Sequence, residues 1–373
     1  PQRERRRRDA GDVPAFRRSI ERQQRPIMPT IVRVAHFDVN LSKFLGEGGF
    51  GKVFRAKDVS EDPPGEVAAK QVPFGAAPEA DLRREVEIMR MVSGHQSVIT
   101  FHHFEQVADH AAPEVRSSSW IFMEMATGGE LFDRLIDSGN LTERAVAPYF
   151  KGMAEGLLHC HALGVVHRDI KLENVALCAD DPHAVKLLDF GLAVCLPPKA
   201  AGGGGFEEAV FHDKVGSKSY RAPEILGSDG YRAMGVDVWA LGITVFSLVS
   251  GFFPLDEAKP TDWRFQRMAT DQRSGVGACE SIYAMYRRQC PLSCELRELL
   301  DAMLAIDPAR RLTMQQVVEH RWFSTEQAAN IAAFTDDGDE VMYRGANFDD
   351  DVAPPFELPE QAMPICRQRA FRA

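Results

Sequence analysis

One eight-residue segment, His167-Arg168-Asp169-Ile170-Lys171-Leu172-Glu173-Asn174, concentrates two carboxylates, two cations and an amide. Fifteen residues beyond Asn174 comes Asp189-Phe190-Gly191, after an apolar run ending at Leu188. Asn174 and Asp189 are oxygen donors of the kind that suit a hard cation such as Mg²⁺. Upstream lies Leu45-Gly46-Glu47-Gly48-Gly49-Phe50-Gly51-Lys52-Val53. The glycine pattern is a weak signal alone, because dinucleotide-binding folds use it too. Here it lies between two strand-like segments, where bare backbone N–H groups can be laid against phosphates. Nineteen residues after Gly51 stands Lys70, inside an apolar strand pattern. A lysine there needs a partner. Glu85 is the preferred one and Glu87 its rival, since Val86 and Met89 mark the inward face of the following helix. A Lys70–Glu85 pair would aim the ammonium at the α- and β-phosphates of a nucleotide.

These residues need elements to position them. Residues 37–45 and 52–56 alternate as strands around the glycine turn, and 67–70 reads as a third. Leu82, Val86, Met89 and Val92 recur at helical spacing over 79–92. Residues 120–125 form a short apolar strand. Beyond Gly128 the period is helical at 145–163, 236–249, 295–304 and 314–322. A strand-rich front before a helix-rich rear predicts an α+β protein of two lobes. The run 202–205 is all glycine and predicts a flexible loop.

Taken in order, the glycine lid, strand lysine, helix glutamate, His-Arg-Asp, Asp-Phe-Gly and Ala222-Pro223-Glu224 resemble the protein kinase family. The resemblance covers 37–323 and includes the segment from Asp237 to Gly242 and Asp307-Pro308-Ala309-Arg310-Arg311-Leu312. It implies the bilobal kinase fold, with an N-lobe over about 37–126 and a C-lobe over about 127–323. It implies ATP and Mg²⁺ as cofactors. Asp169 would be the catalytic base and Lys171 would neutralise the γ-phosphate. Asn174 and Asp189 would hold Mg²⁺. Val53 and Ala68 would clasp the adenine, with Met123 at the gatekeeper position and Glu124 to Ala126 at the hinge. Met89, Phe101, His167 and Phe190 would stack as a spine. Glu224 would pair with Arg311, and Asp237 would hold the His-Arg-Asp backbone.

The spacing Asp169-x-Lys171-x-x-Asn174 is similar to that of serine/threonine kinases. Gly128-Gly129-Glu130 and the Asp-Pro-x-x-Arg-Leu-Thr segment resemble the calcium/calmodulin-dependent group. Glu130 and Glu173 match positions that receive Arg upstream of the target residue, so protein substrates with basic residues near the target Ser or Thr are expected. Glu130 is equally placed for the ATP ribose. Ser217 stands where the family usually has Thr, at a hydroxyl that aligns Asp169 and Lys171. Lys218 and Arg221 depart from the group's proline and apolar residue, which argues against a large apolar residue just after the target. A scaffold without catalysis would require loss of Lys70, Asp169, Asn174 or Asp189, and all four are present. A small-molecule phosphotransferase would not be expected to carry the Ala-Pro-Glu segment.

The rest of the composition narrows the partners. The chain has 373 residues and a net charge of −10. Residues 1–34 carry ten Arg against four acids, so the remainder is about −16. An acidic body points to basic protein substrates rather than nucleic acid. No apolar run reaches the ~20 residues of a membrane span. Seven cysteines, an odd number without a CxxC pair, predict reduced thiols and a cytoplasmic location. Residues 1–36 read as an Arg-rich extension, weakly ordered over the first 34, with Arg5 to Arg8 as a candidate nuclear address. Residues 324–373 read as a tail, acidic and then basic. Its end, from Ile365 to Arg372, mixes basic and apolar residues and is a weak candidate for a calmodulin-like partner. No EF-hand loop is found. Finally, 190–215 contain no Ser, Thr or Tyr. Phosphorylation of such a loop commonly orders it against the Arg of His-Arg-Asp. Glu207, Glu208 and Asp213 are the anions available to Arg168 instead, which predicts activity without modification there.

Overall fold

A computed structural model describes residues 31–48, 51–108, 117–199, 205–207 and 209–325. The N-terminal lobe is one antiparallel sheet. Its strands are β1 (Ile31–Val34), β2 (Phe37–Gly48), β3 (Gly51–Asp58), β4 (Gly65–Pro73), β5 (Phe101–Val107) and β6 (Ser118–Glu124), in the order β1-β2-β3-β4-β6-β5. The alternation that marks these strands puts Val32, Val34, Phe37, Val39, Phe54, Ala56, Val67, Ala69, Trp120 and Phe122 on one buried face. Phe37 stacks on Phe122 with ring centroids 3.9 Å apart. Helix α1 (Glu79–Val92) crosses the other face and buries Leu82, Glu85, Val86, Ile88, Met89 and Val92.

Two readings of the sequence change. Residues 31–34, assigned to the weakly ordered arm, form β1 and pair with β2. Arginine counting hid a two-residue period: Val32 and Val34 are buried while Ile31 and Arg33 face out. The first thirty residues and the tail beyond 325 lie outside the described residues, as do Gly49, Phe50, 202–204 and Glu208. The helix expected over 314–322 ends earlier, as noted below.

The C-terminal lobe is helical. It contains α2 (Leu131–Ser138) and α3 (Glu143–Ala162), then short strands β7 (Val165–Val166), β8 (Val175–Leu177), β9 (Val185–Leu187), β10 (Val194–Cys195), β11 (Val210–Phe211) and β12 (Tyr231–Arg232). Helices α4 (Met234–Ser250), α5 (Trp263–Arg273), α6 (Ala278–Met285), α7 (Cys294–Met303) and α8 (Met314–Val318) follow. Every residue of α4 from Val236 to Val249 is buried, as a helix apolar on all sides must be. The chain leaves α8 after Val318 and resumes as a 3₁₀ turn at Arg321–Ser324, where His320 accepts from the N–H of Trp322. Burial of Trp322 against Phe150, with its indole N–H donating to Glu143 at 3.1 Å, holds this break in place. The short strands matter most for function. They bring the turns on either side of β7 to β12 under the cleft between the lobes.

Candidate active site

The upper wall of the cleft is the β2–β3 hairpin. Gly48 pairs with Gly51 across the turn, so Leu45, Gly46 and Glu47 run along one strand and Val53 along the other. A side chain at Gly51 would meet the Gln71 carbonyl at 2.1 Å, so close backbone approach requires glycine there. Val53 lies opposite Lys70, and Ala68 opposite Met123 on the next strand. Lys70 donates to Glu85 at 2.5 Å and to Asp189 at 3.3 Å. Glu85 is buried and Glu87 is exposed, which separates the two candidates. Burial would lower the Lys70 pKa, but the charges of Glu85 and Asp189 outweigh it and hold the ammonium raised. Burial would also raise Asp189, and Lys70 reverses that, leaving its carboxyl below the usual range. Lys70 therefore holds a carboxylate from each lobe.

The lower wall is the loop between β7 and β8. Asp169 is its centre. Its Oδ1 accepts from the Ser217 N–H at 2.8 Å and the Ser217 hydroxyl at 2.9 Å. Its Oδ2 accepts from Lys171 at 2.7 Å and Asn174 Nδ2 at 3.1 Å. Lys171 also donates to Ser217 Oγ at 2.9 Å. Asn174 Nδ2 further donates to the Asp169 carbonyl at 2.9 Å. With its amide nitrogen so engaged, Asn174 turns its carbonyl oxygen the other way. That oxygen and the charged Asp189 carboxylate are the hard donors that Mg²⁺ takes together with phosphate oxygens, so this pair fits the ion.

The loop is held from beneath. Asp237, on α4, is fully buried and accepts from the backbone N–H of His167 and of Arg168, each at 2.8 Å, and from His161 at 2.9 Å. Arg168 needs this support, because it sits at φ +64°, a left-handed conformation that costs a non-glycine residue energy. Asp189 is similarly left-handed at φ +57°. His167 and Phe190 are in ring contact at 4.8 Å, and Met89 and Phe101 belong to the same core. Glu224 and Arg311 form a bidentate pair at 2.5 and 3.0 Å, with no exposed area on the arginine side chain.

Of the loop anions, the structure brings Asp213 to Arg168, at 2.8 and 3.0 Å from Nη1. Tyr231 completes the group, its hydroxyl 3.0 Å from Asp213 and 3.1 Å from Arg168. Burial and Asp213 push the Tyr231 hydroxyl up to about 12, against the pull of Arg168, so it keeps its proton. No motif marks Tyr231. Pairing of β11 with β12 is what delivers it, and two-residue strands leave no period to read.

The remaining candidates are more dispersed. The Glu124 side chain is taken by Lys186 at 2.8 Å and Thr100 at 2.9 Å, and its backbone N–H donates to the Thr100 carbonyl at 2.8 Å. Glu130 is the N-cap residue of α2 and bridges to Ala176. Glu173 accepts from the Tyr220 hydroxyl at 3.4 Å. Ala126 lies in the segment between β6 and α2. Among the described residues no helix is long and apolar enough to cross a membrane.

A family model for the protein kinase domain matches residues 39–323. Curated proteins are similar over the same region. Putative CBL-interacting protein kinase 13 of Oryza sativa subsp. japonica is 32% identical over 293 residues, covering 76% of this chain and 50% of that protein. Serine/threonine-protein kinase SRK2A of Physcomitrium patens is 28% identical over 331 residues, 87% of this chain and 83% of the relative. Calcium-dependent protein kinase 19 of Oryza sativa subsp. japonica is 30% identical over 316 residues, 82% and 53% of the two chains. The chain thus spans half the length of the first and third relatives and most of the second.

Proposed function

The chain belongs to the protein kinase family as a serine/threonine kinase, and on that premise we propose how its residues transfer phosphate from ATP to protein hydroxyls. The observation that carries the reading is the junction at Asp189. One carboxylate ties the N-lobe pair Lys70–Glu85 to the segment after β9, and its neighbour Leu188 is hydrogen-bonded to His167 and Asn174 of the loop that bears Asp169, so nucleotide and acceptor sites are assembled together. In this reading Lys70 fixes the α- and β-phosphates. The glycine hairpin covers the phosphates, a role that Gly49 and Phe50 are given from the sequence alone, and Leu45, Val53, Ala68, Met123 and Ala126 enclose the base. Asn174 and Asp189 hold Mg²⁺, which would neutralise charge on the phosphates when bound.

Asp169 orients the acceptor hydroxyl and takes its proton at a carboxylate oxygen. Lys171 lies 2.7 Å from that carboxylate and supplies positive charge beside the transferring group. Phosphoryl transfer asks for positioning and charge neutralisation more than covalent participation, which is what this set supplies. Glu130 and Glu173 give the acceptor side a negative edge, so the proposed substrates are proteins with Arg two or three residues before Ser or Thr. A cytoplasmic location, with a nuclear one as the alternative, and a calmodulin-like partner at the basic end of the tail belong to the same proposal and rest on sequence alone.

The test is transfer of labelled phosphate from ATP·Mg²⁺ to a degenerate peptide library by wild type and Asp169→Asn. A loss of about 10²–10⁴-fold with nucleotide binding intact is expected. Equal rates in the two proteins would remove Asp169 from its role. A library without upstream Arg enrichment would remove Glu130 and Glu173 from theirs.

A further inference from the structure

We propose that Phe206 is a positioning residue for phosphate transfer: its ring, docked on Gly164, fixes the loop that brings Asp213 to Arg168. The inference rests on the kinase reading above and names the contact that keeps this loop in its working place. From Lys199 to Ala209, Phe206 is the one large apolar side chain in the sequence. It belongs to a narrow ribbon in which 197–199 run antiparallel to 205–207. Pro198 bridges to Phe206, the Glu207 N–H donates to the Pro197 carbonyl at 2.8 Å, and the Lys199 N–H donates to the Gly205 carbonyl at 3.1 Å. A two-stranded ribbon this short has little stability of its own, so it must be fastened to the lobe.

Gly164 is where it is fastened. This residue closes the end of α3, its N–H donating to the His161 carbonyl at 3.0 Å, and sits at φ +74°. The chain then enters β7 and reaches Arg168 four positions later. The Gly164 carbonyl accepts from the Leu196 N–H at 2.8 Å. Its missing side chain admits the Phe206 ring, because a Cβ there would lie 2.5 Å from two ring carbons. The ring is half-buried and packs against the main core. Both ends of the ribbon are thus held at one residue close to the catalytic loop. Asp213 follows Phe206 by seven residues, after β11 has paired with β12 and set Tyr231 beside it. Seven extended residues span up to ~24 Å, so a free tether would leave Asp213 many places away from Arg168. Docking of Phe206 removes that freedom, and the Asp213–Arg168 pair need not order the whole loop by itself. On its other side the ring borders a cavity of about 640 Å³ shared with His161, Ala162 and Met234. A smaller apolar side chain therefore has room to settle against Gly164.

The experiment uses the full chain, dephosphorylated, with ATP·Mg²⁺ and a peptide pool bearing Ser or Thr between randomised flanks. Phe206→Ala should lower kcat about tenfold, to the level of Asp213→Asn, with KM for ATP unchanged. Because Phe206 acts through Asp213, the double variant should be no slower than either single one. Losses that multiply overturn the proposal. Phe206→Leu keeps an apolar contact with Gly164 and should recover most of kcat; a leucine variant as slow as the alanine one also overturns it. Hydrogen exchange gives a readout that needs no turnover. The Leu196 and Glu207 amides should be protected in unmodified wild type and exchange about tenfold faster or more in Phe206→Ala. Exchange left unchanged by Phe206→Ala contradicts the anchoring role. Amides that exchange freely in wild type defeat it even if Phe206→Ala fails to fold. Wild type that phosphorylates no peptide defeats the kinase reading and this inference together, whereas active wild type matched by Phe206→Ala defeats this inference alone.

Discussion

Asp213 places both carboxylate oxygens within 3.0 Å of one nitrogen of Arg168. The arginine is 4% exposed and the aspartate 46%, so a buried cation is neutralised by an anion reaching in from the loop. No hydroxyl-bearing residue is present from 190 to 215 to be phosphorylated. Asp213 supplies one charge where a phosphate would supply ~1.5 to 2, and Tyr231 adds a neutral hydrogen bond. The expected outcome is full activity in protein shown by mass spectrometry to be unphosphorylated. Asp213→Asn should lower kcat about tenfold, since one half-exposed charge-assisted contact is lost. An unmodified protein that stays silent until a second kinase acts on it would refute this.

Ser217 is central to the proposed acceptor site. It donates twice to Asp169 and accepts from Lys171. Ser217→Ala keeps the backbone bond and removes both contacts of the hydroxyl. A fall in kcat of about tenfold with unchanged KM for ATP is expected. Ser217→Thr, which keeps the hydroxyl, should restore most of it. If alanine and threonine variants behave alike, the hydroxyl does not position the pair.

How much of this is legible in the sequence depends on how each residue is reached. Glu85 can be preferred to Glu87 because Val86 and Met89 mark the buried side of a fourteen-residue helix. Asp169, Lys171 and Asn174 share one short loop, so their proximity follows from chain geometry. Arg168 could be assigned an acidic partner but not which of three, because that depends on how 205–213 folds back. Tyr231 and Glu257 carry no local signal. The former arrives through a two-residue strand, the latter through the contact of Arg221 with the segment before α5. Residues 31–34 were obscured by their charged neighbours, although Val32 and Val34 alternate as a strand requires.

The C-lobe depends on a buried ion pair far from the chemistry. Arg311 makes two bonds to Glu224 and further ones to the carbonyls of Ala305 and Gly235. Its guanidinium also lies 5.2 Å from the Trp239 ring centroid. Removing one partner strands the other charge, which typically costs about 3–5 kcal/mol. Glu224→Ala is therefore expected to lower Tm by roughly 10 °C, at ~2–4 °C per kcal/mol for a domain of this size. Differential scanning calorimetry of the purified variant checks it. A shift under about 2 °C would mean that the pair contributes little net stability.

Asp237 provides a test in pH. Burial would raise its carboxyl, but the hydrogen bond and charge of His161, the charge of His167 and the His167 N–H together hold it below the usual carboxylate range. The groups facing it are His161 from α3 and the His167 and Arg168 backbone; Cys160 lies nearby with its thiol pushed up by burial and by Asp237 itself. A depressed folded-state pKa means that the unfolded chain binds the proton first. The stability contributed is then complete above the unfolded value of about 3.9 and is lost as pH falls through the folded one. Asp237→Asn cannot titrate and leaves one backbone N–H poorly matched. At pH 7 it should be less stable than wild type by about 2–3 kcal/mol in urea unfolding. Below about pH 4 the difference should narrow, because wild type loses its ionised carboxylate while the variant has none to lose. Urea midpoints for both proteins at pH 7, 5, 4 and 3.5 would show it. A gap that stays constant down to pH 3.5 would mean that Asp237 titrates alike in the folded and unfolded chains, and that its hold on the His167–Arg168 backbone does not depend on charge.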